Sequence, residues 1–204
     1  MANIRIIIGC FVLASLLLQL TNAQRNCVDK YTSWNNAGNG NTIYLDRHRL
    51  NCGGAGNAMK MFKLERSWPN KIRYKYTCCQ LSAGTCSNRK KTNDYTIDGG
   101  GKVVYLDRQR VSCTSTGVIN DFWLSRNGGH DRYRYEYYCC DTSISLRCYD
   151  SSTSYTAEGD RTNYYLDRQT VSCNSGYFLQ SFRLRRNHSH NRMKYDIRCC
   201  RLNN

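Results

Sequence analysis

The sequence predicts an all-β protein made of three disulfide-stapled repeats, and three observations carry that expectation. A segment running from a cysteine to a Cys-Cys pair recurs at 52–79, 113–140 and 173–200, with one length and Phe-x-Leu-x-Arg in its middle each time. Tyr-Leu-Asp-Arg precedes every copy. Apolar and polar residues alternate with period two through these segments, and no stretch shows the 3.6-residue period of an amphipathic helix. Internal repetition at about 60 residues implies an array of like units. One domain with pseudo-threefold symmetry, such as a β-prism or a trefoil-like array, fits that pattern. Three semi-independent modules are the alternative.

The amino terminus reads as a secretory signal over residues 1–23. Arg5 supplies the positive start, 6–20 is nearly all apolar, and Thr21-Asn22-Ala23 ends in the small residue a signal peptidase prefers. The apolar run is short of the roughly 20 residues needed to span a bilayer. Removing the signal settles the cysteine arithmetic. Of 13 cysteines, Cys10 lies in the signal, which leaves 12, four per repeat. An even set in an oxidising compartment reads as six disulfides. Zinc fits poorly, because no Cys-x2-Cys occurs and His48, His130, His188 and His190 take unrelated places in the repeats. The net charge of +15 attracts polyanions. Outside the cell these are sulfated glycosaminoglycans, acidic glycoproteins and cell-surface carbohydrate. Nucleic acid is in the wrong compartment.

Repeat one occupies 24–79, repeat two 80–140 and repeat three 141–204. The first and second cysteines of a repeat are 25, 27 and 25 positions apart, whereas the second and third are 26 apart in every copy. Insertions are therefore tolerated before the Tyr-Leu-Asp-Arg element and not after it. Thr42–Arg47, Val103–Arg108 and Asn163–Arg168 are rich in β-branched and aromatic residues and read as strands. Glycine-containing turns follow. Next come two alternating strands joined by a polar turn: the Phe-x-Leu-x-Arg strand, then Ile72-Arg73-Tyr74-Lys75-Tyr76, Tyr133-Arg134-Tyr135-Glu136-Tyr137 and Met193-Lys194-Tyr195-Asp196-Ile197. Each pair reads as a hairpin with one buried face.

Adjacent cysteines on a strand point to opposite faces, so each closing pair has two different partners. Four cysteines allow three pairings. The expected one joins second with third (Cys52–Cys78, Cys113–Cys139, Cys173–Cys199) and first with fourth (Cys27–Cys79, Cys86–Cys140, Cys148–Cys200). In the repeated motif, Tyr44, Asp46 and Arg47, Tyr105, Asp107 and Arg108, and Tyr165, Asp167 and Arg168 form either three ligand sites or three copies of one supporting network. Read as a strand, the motif puts Tyr and Asp on one face and Leu and Arg on the other.

The basic residues of the hairpins are the candidate binding surface: Arg73, Lys75, Arg134, Lys194 and Arg198, with Arg183, Arg185 and Arg186 on the partner strand of repeat three. Arginine suits bidentate contact with sulfate or carboxylate. The interleaved Tyr74, Tyr135 and Tyr195 offer rings to sugars. A solvated charged face is the alternative. Carboxylates are sparse and no Gly-x-Ser-x-Gly or His-Glu-x-x-His occurs, so neither an enzyme nor a cofactor is expected. Asn187-His188-Ser189 is an N-glycosylation acceptor pattern in an expected turn.

The 113–140 stretch resembles the repeats of the dermatopontin family. Those read roughly Cys-x3-Gly-x4-Phe, then Asp-Arg-x-Trp-x-Phe-x-Cys-Cys. Cys113, Gly117, Phe122, Asp131, Arg132, Tyr135, Tyr137, Cys139 and Cys140 take those places. The family tryptophan is tyrosine here, and Asp-Arg becomes Asn70-Lys71 and Asn191-Arg192 in the outer repeats. The resemblance implies a secreted matrix or adhesion protein that binds glycosaminoglycan or other carbohydrate. The expectation is therefore non-covalent recognition of acidic or sulfated glycans. A multivalent lectin for neutral sugars and a disulfide-scaffold toxin or inhibitor are the alternatives, and self-association stays open.

Overall fold

Each repeat lays down the hairpin that its alternation predicts, and the chain then exchanges short strands between repeats. The computed structural model describes residues 26–203 except 55, 83 and 87–89. The expected signal segment lies outside the described residues. Repeat one forms β1 (Val28–Tyr31), β2 (Asn35–Asn36), β3 (Leu50–Asn51) and the hairpin β4 (Asn57–Ser67) and β5 (Lys71–Gln80). Repeat two forms β6 (Gly84–Cys86), β7 (Lys91–Thr92), β8 (Thr96–Ile97), β9 (Arg110–Ser112) and the hairpin β10 (Gly117–Arg126) and β11 (Arg132–Thr142). Repeat three forms β12 (Leu146–Ser152), β13 (Thr156–Ala157), β14 (Thr170–Ser172) and the hairpin β15 (Phe178–Arg186) and β16 (Arg192–Leu202).

Three antiparallel sheets result, one per hairpin, and each takes an edge strand from another repeat. β3 of repeat one pairs with β10, β9 of repeat two with β15, and β14 of repeat three with β4. The exchange closes after three steps, so the repeats are fused into one pseudo-threefold body and are not independent modules. Each hairpin carries one bulge, at Lys60, Asn120 or Gln180. The carbonyl freed there accepts the N–H of a neighbouring repeat's second cysteine: Cys173 to Lys60 at 3.1 Å, Cys52 to Asn120 at 3.0 Å and Cys113 to Gln180 at 3.0 Å. A bulge that breaks a ladder within one repeat thus supplies the bond that holds the next.

The inner faces meet in one core. Phe62, Phe122 and Phe182 touch one another, with ring centroids 4.8–5.1 Å apart. Tyr74, Tyr135 and Tyr195 pack edge-on around them. All six residues are at most 5 % exposed. The six disulfides have the expected pairing. Cys78, Cys139 and Cys199 face this core, while Cys79, Cys140 and Cys200 face a smaller cluster with Ala58, Val118 and Phe178. Cys86 lies directly opposite Cys140, and Cys148 opposite Cys200, across paired strands. The Cys52–Cys78 class instead fastens each exported strand back to its own hairpin.

The Tyr-Leu-Asp-Arg segments correct the sequence expectation. Thr42–Arg47, Val103–Arg108 and Asn163–Arg168 are 3-10 helices, not strands. With three residues per turn, side chains at i and i+3 eclipse. Leu45, Leu106 and Leu166 are buried together with Thr42, Val103 and Asn163 three positions earlier. Tyr and Arg, not Tyr and Asp, share the other face: Arg47 lies over Tyr44 at 4.1 Å, Arg108 over Tyr105 at 4.3 Å and Arg168 over Tyr165 at 4.3 Å. Each ring also lies against a glycine. A Cβ at Gly38, Gly99 or Gly159 would meet Tyr44, Tyr105 or Tyr165 within 2.2 Å, and all three glycines have positive φ.

The aspartates point between repeats. Arg126 of repeat two reaches Asp46 of repeat one at 2.7 Å, and Arg66 of repeat one reaches Asp167 of repeat three at 3.5 Å. The arginine of Phe-x-Leu-x-Arg thus meets the aspartate of the repeat whose strand it has received. At the third junction Arg186 turns to the buried Glu158, at 2.5 Å, and Asp107 receives Arg183 only through its backbone carbonyl, at 2.8 Å. Burial raises the Asp107 carboxyl above its usual range, against the pull of Arg108, Arg186 and Arg183. The leucines and aspartates of the repeated motif serve packing and the junctions between repeats, and its arginines stack on the motif tyrosines.

Candidate functional site

The strand exchange decides what faces solvent on the third sheet. Its order is β12, β16, β15, β9. Phe182 and Leu184 point inward, so Arg183 and Arg185 point out. The same parity turns Lys194, Asp196 and Arg198 outward on β16. β9 then adds Arg110 from repeat two, directly opposite Arg183. These residues line an open groove of about 660 Å³. Five cations, Arg110, Arg183, Arg185, Lys194 and Arg198, face two carboxylates, Asp150 and Asp196.

The groove's ion pairs are weakly held. Asp196 is shared by Arg185 at 3.1 Å and Lys194 at 3.2 Å. Arg198 bonds Asp150, itself 74 % exposed, at 2.8 Å. Exposed pairs of this kind contribute roughly 0–1 kcal/mol, so an incoming anion recruits these cations at small cost. Arg183 donates Nε to the Asp107 carbonyl. Arg110 has no hydrogen-bond or ion-pair partner among the described residues. Like charges opposite one another across strands destabilise a sheet. The corresponding positions elsewhere avoid this contact: Thr170 opposes Lys63 in the first sheet, and Arg49 stacks on Trp123 at 4.3 Å in the second.

The other two outer faces are more nearly balanced. On the first, Arg73 bonds Glu65 and lies between Tyr31 and Trp34 at 4.3 and 4.4 Å, while Lys75 pairs with Asp29 at 2.8 Å. On the second, Arg134 and Lys90 both hold Glu136, and Arg134 lies over Tyr95. Burial opposes ionisation of Glu136, but bonds from Lys90 and Arg134 leave its carboxyl below the usual range. Arg49 grips the buried Asp121 with two nitrogens, at 2.9 and 2.5 Å. Burial still holds that carboxyl above its usual range.

The structure therefore brings Arg183, Arg185, Lys194 and Arg198 together and leaves Arg73, Lys75 and Arg134 on separate faces. Tyr74, Tyr135 and Tyr195 are core residues with at most 5 % exposure. Buried this far, their rings have no face to offer a sugar, which corrects their expected binding role. Arg186 shares parity with Leu184 and points into a junction between repeats. Sequence reasoning missed Arg110, because no local pattern announces that a strand will join another repeat's sheet. It also missed the rings beside the basic strands, Tyr31, Trp34, Tyr95 and Tyr155. Asn187 lies in the turn after β15. Its Oδ1 accepts from the N–H of Asn191 and Arg192 and its amide donates to Asn191. Asn127 makes two of these bonds, to Asp131 and from Arg132, without an acceptor pattern.

Among the described residues no cluster of His, Cys, Asp and Glu is arranged to hold a metal ion, and no helix is long and apolar enough to cross a membrane. The six disulfides are consistent with an extracellular protein. Compared with known proteins, the chain matches no protein-family model and no curated protein.

Proposed function

We propose that this protein is a secreted matrix or adhesion protein that binds acidic or sulfated glycans without covalent chemistry, and that the groove of the third sheet is the binding surface. The observation that carries this reading is the pairing of Arg110 with Arg183 across β9 and β15, inside a groove with five cations and two carboxylates. A polyanion bridging the two guanidinium groups turns a repulsion into two attractions. Guanidinium groups also match sulfate and carboxylate in a bidentate way. The resemblance of 113–140 to dermatopontin repeats supports the same setting.

Retention on heparin resin under a rising salt gradient tests the reading. The wild-type protein is expected to stay bound at physiological ionic strength and to elute as salt screens the groove. An Arg110→Ser, Arg183→Ser variant is expected to elute well before it. Passage of the wild-type protein through the column at physiological salt, or co-elution of the two proteins, would overturn the proposal.

A further inference from the structure

We propose a second, smaller site at the junction of repeats one and three, which takes a single carboxylate-bearing sugar residue of the uronic or sialic class. The junction contains a crevice of about 330 Å³. Two stacked pairs form its walls: Arg66 over Tyr164 at 4.4 Å and Arg168 over Tyr165 at 4.3 Å. Asn39 and Asp160 complete the lining that matters here. Stacking fixes the plane of each guanidinium group and leaves its N–H edge free to bind.

Those edges are available at this junction. The carboxylate facing Arg66, on Asp167, is 3.5 Å away, while Arg168 has no hydrogen-bond or ion-pair partner among the described residues. At the junction of repeats one and two the corresponding Arg126 is tied to Asp46 at 2.7 Å. Between repeats two and three, Glu158 clasps Arg186 with both oxygens, at 2.5 and 2.7 Å. The crevice there is about 130 Å³. The cause is local. Repeat one has the fully buried Ala37 where repeat three has Glu158, each directly before its turn glycine. No carboxylate from that position reaches Arg66. Repeat three also has Tyr164 where the other repeats have Ile43 and Val104, and that ring makes the platform under Arg66.

The charges select the ligand. Asp160 and the more distant Asp167 balance Arg66 and Arg168 in number, so the crevice has no surplus of charge for a densely sulfated chain, while the unpaired edge of Arg168 suits one carboxylate. A carboxylate accepts paired N–H bonds from a guanidinium group. The amide of Asn39 and the carboxylate of Asp160 are placed to bond ring hydroxyls. The size is at the lower end of ligand sites, and an affinity on the order of 1 mM is expected.

The test is titration of the full mature protein with free glucuronate, N-acetylneuraminate and, separately, glucose, followed by the NMR signals of arginine Nε–H groups. Saturable shifts at Arg66 and Arg168 with either acid, and at least a tenfold weaker response to glucose, are expected. Tyr164→Val, which installs the residue of repeat two, is expected to keep the fold and weaken binding at least fivefold. Arg66→Lys keeps the charge and loses the paired geometry, and it is expected to weaken binding similarly. The groove variant Arg110→Ser, Arg183→Ser is expected to bind the acids as wild type does, which separates this site from the heparin reading. No shift at Arg66 and Arg168 with either acid, an equal response to glucose, or unchanged binding by a folded Tyr164→Val protein overturns the proposal.

Discussion

His48 should make the stability of this protein sensitive to mild acid, and replacing it with glutamine should remove that sensitivity. The residue follows Tyr-Leu-Asp-Arg, where repeats two and three have Gln109 and Gln169. All three side chains are at most 2 % exposed. The Thr32 hydroxyl accepts the Tyr74 N–H at 2.9 Å and hydrogen-bonds His48 Nδ1 at 2.8 Å. Nε2 is buried without a partner, the Tyr74 ring packs edge-on, and Arg47 is the adjacent charge. Burial, helped by Arg47, lowers the pKa from 6.5 to about 4. Between these values the unfolded chain binds a proton that the folded chain refuses. The contribution is therefore fully present above pH 6.5 and is lost as pH falls toward 4. Linkage gives a loss of about 2 kcal/mol between pH 7.5 and pH 5. Guanidinium unfolding with the disulfides intact, at both pH values, measures it. Gln109 shows how glutamine fits, with its amide on the Asp94 carbonyl and Thr96 Oγ1 and its oxygen facing the Tyr135 N–H. The His48→Gln protein should lose about 2 kcal/mol less than wild type over this range. Equal losses in the two proteins would refute the reasoning.

Two further outcomes follow from the packing. Phe122→Ala removes one ring of the central three and should cost about 3–5 kcal/mol. Because that core belongs to all three repeats, calorimetry should still show one transition, moved to lower temperature; a split transition would mean that the repeats unfold separately. Gly99→Ala places a methyl group against the Tyr105 ring at a positive φ and should cost more than 1 kcal/mol. Gly100→Ala, where a Cβ meets nothing within 4 Å, should cost less. Unfolding midpoints of the two variants decide this.

The hairpins were legible because one face of each is buried, which imposes period two on the residues. The cysteine pairing was legible only in part: adjacent residues on a strand face opposite ways, which rules out a bond within each closing pair, and the constant 26-residue span favoured second with third. The 3-10 segments were not, since Thr42–Arg47 has strand-like composition and the spacing that mattered was three, from Thr42 to Leu45 and from Tyr44 to Arg47. Tyr74, Tyr135 and Tyr195 were misplaced by treating tyrosine as a surface residue, although their own parity with Ile72, Tyr133 and Met193 put them inside. Arg110 was out of reach. Its neighbour Arg183 is 73 positions away, and only the exchange of β9 between repeats brings them together.

The Arg110→Thr variant tests the central claim most directly, because Thr170 already fills the same place in the first sheet. Its heparin elution and its unfolding midpoint should be measured together. The expected result is elution at lower salt with a fold as stable as wild type or about 0.2–1 kcal/mol more stable. Unchanged elution from a folded protein would contradict the assignment of the groove.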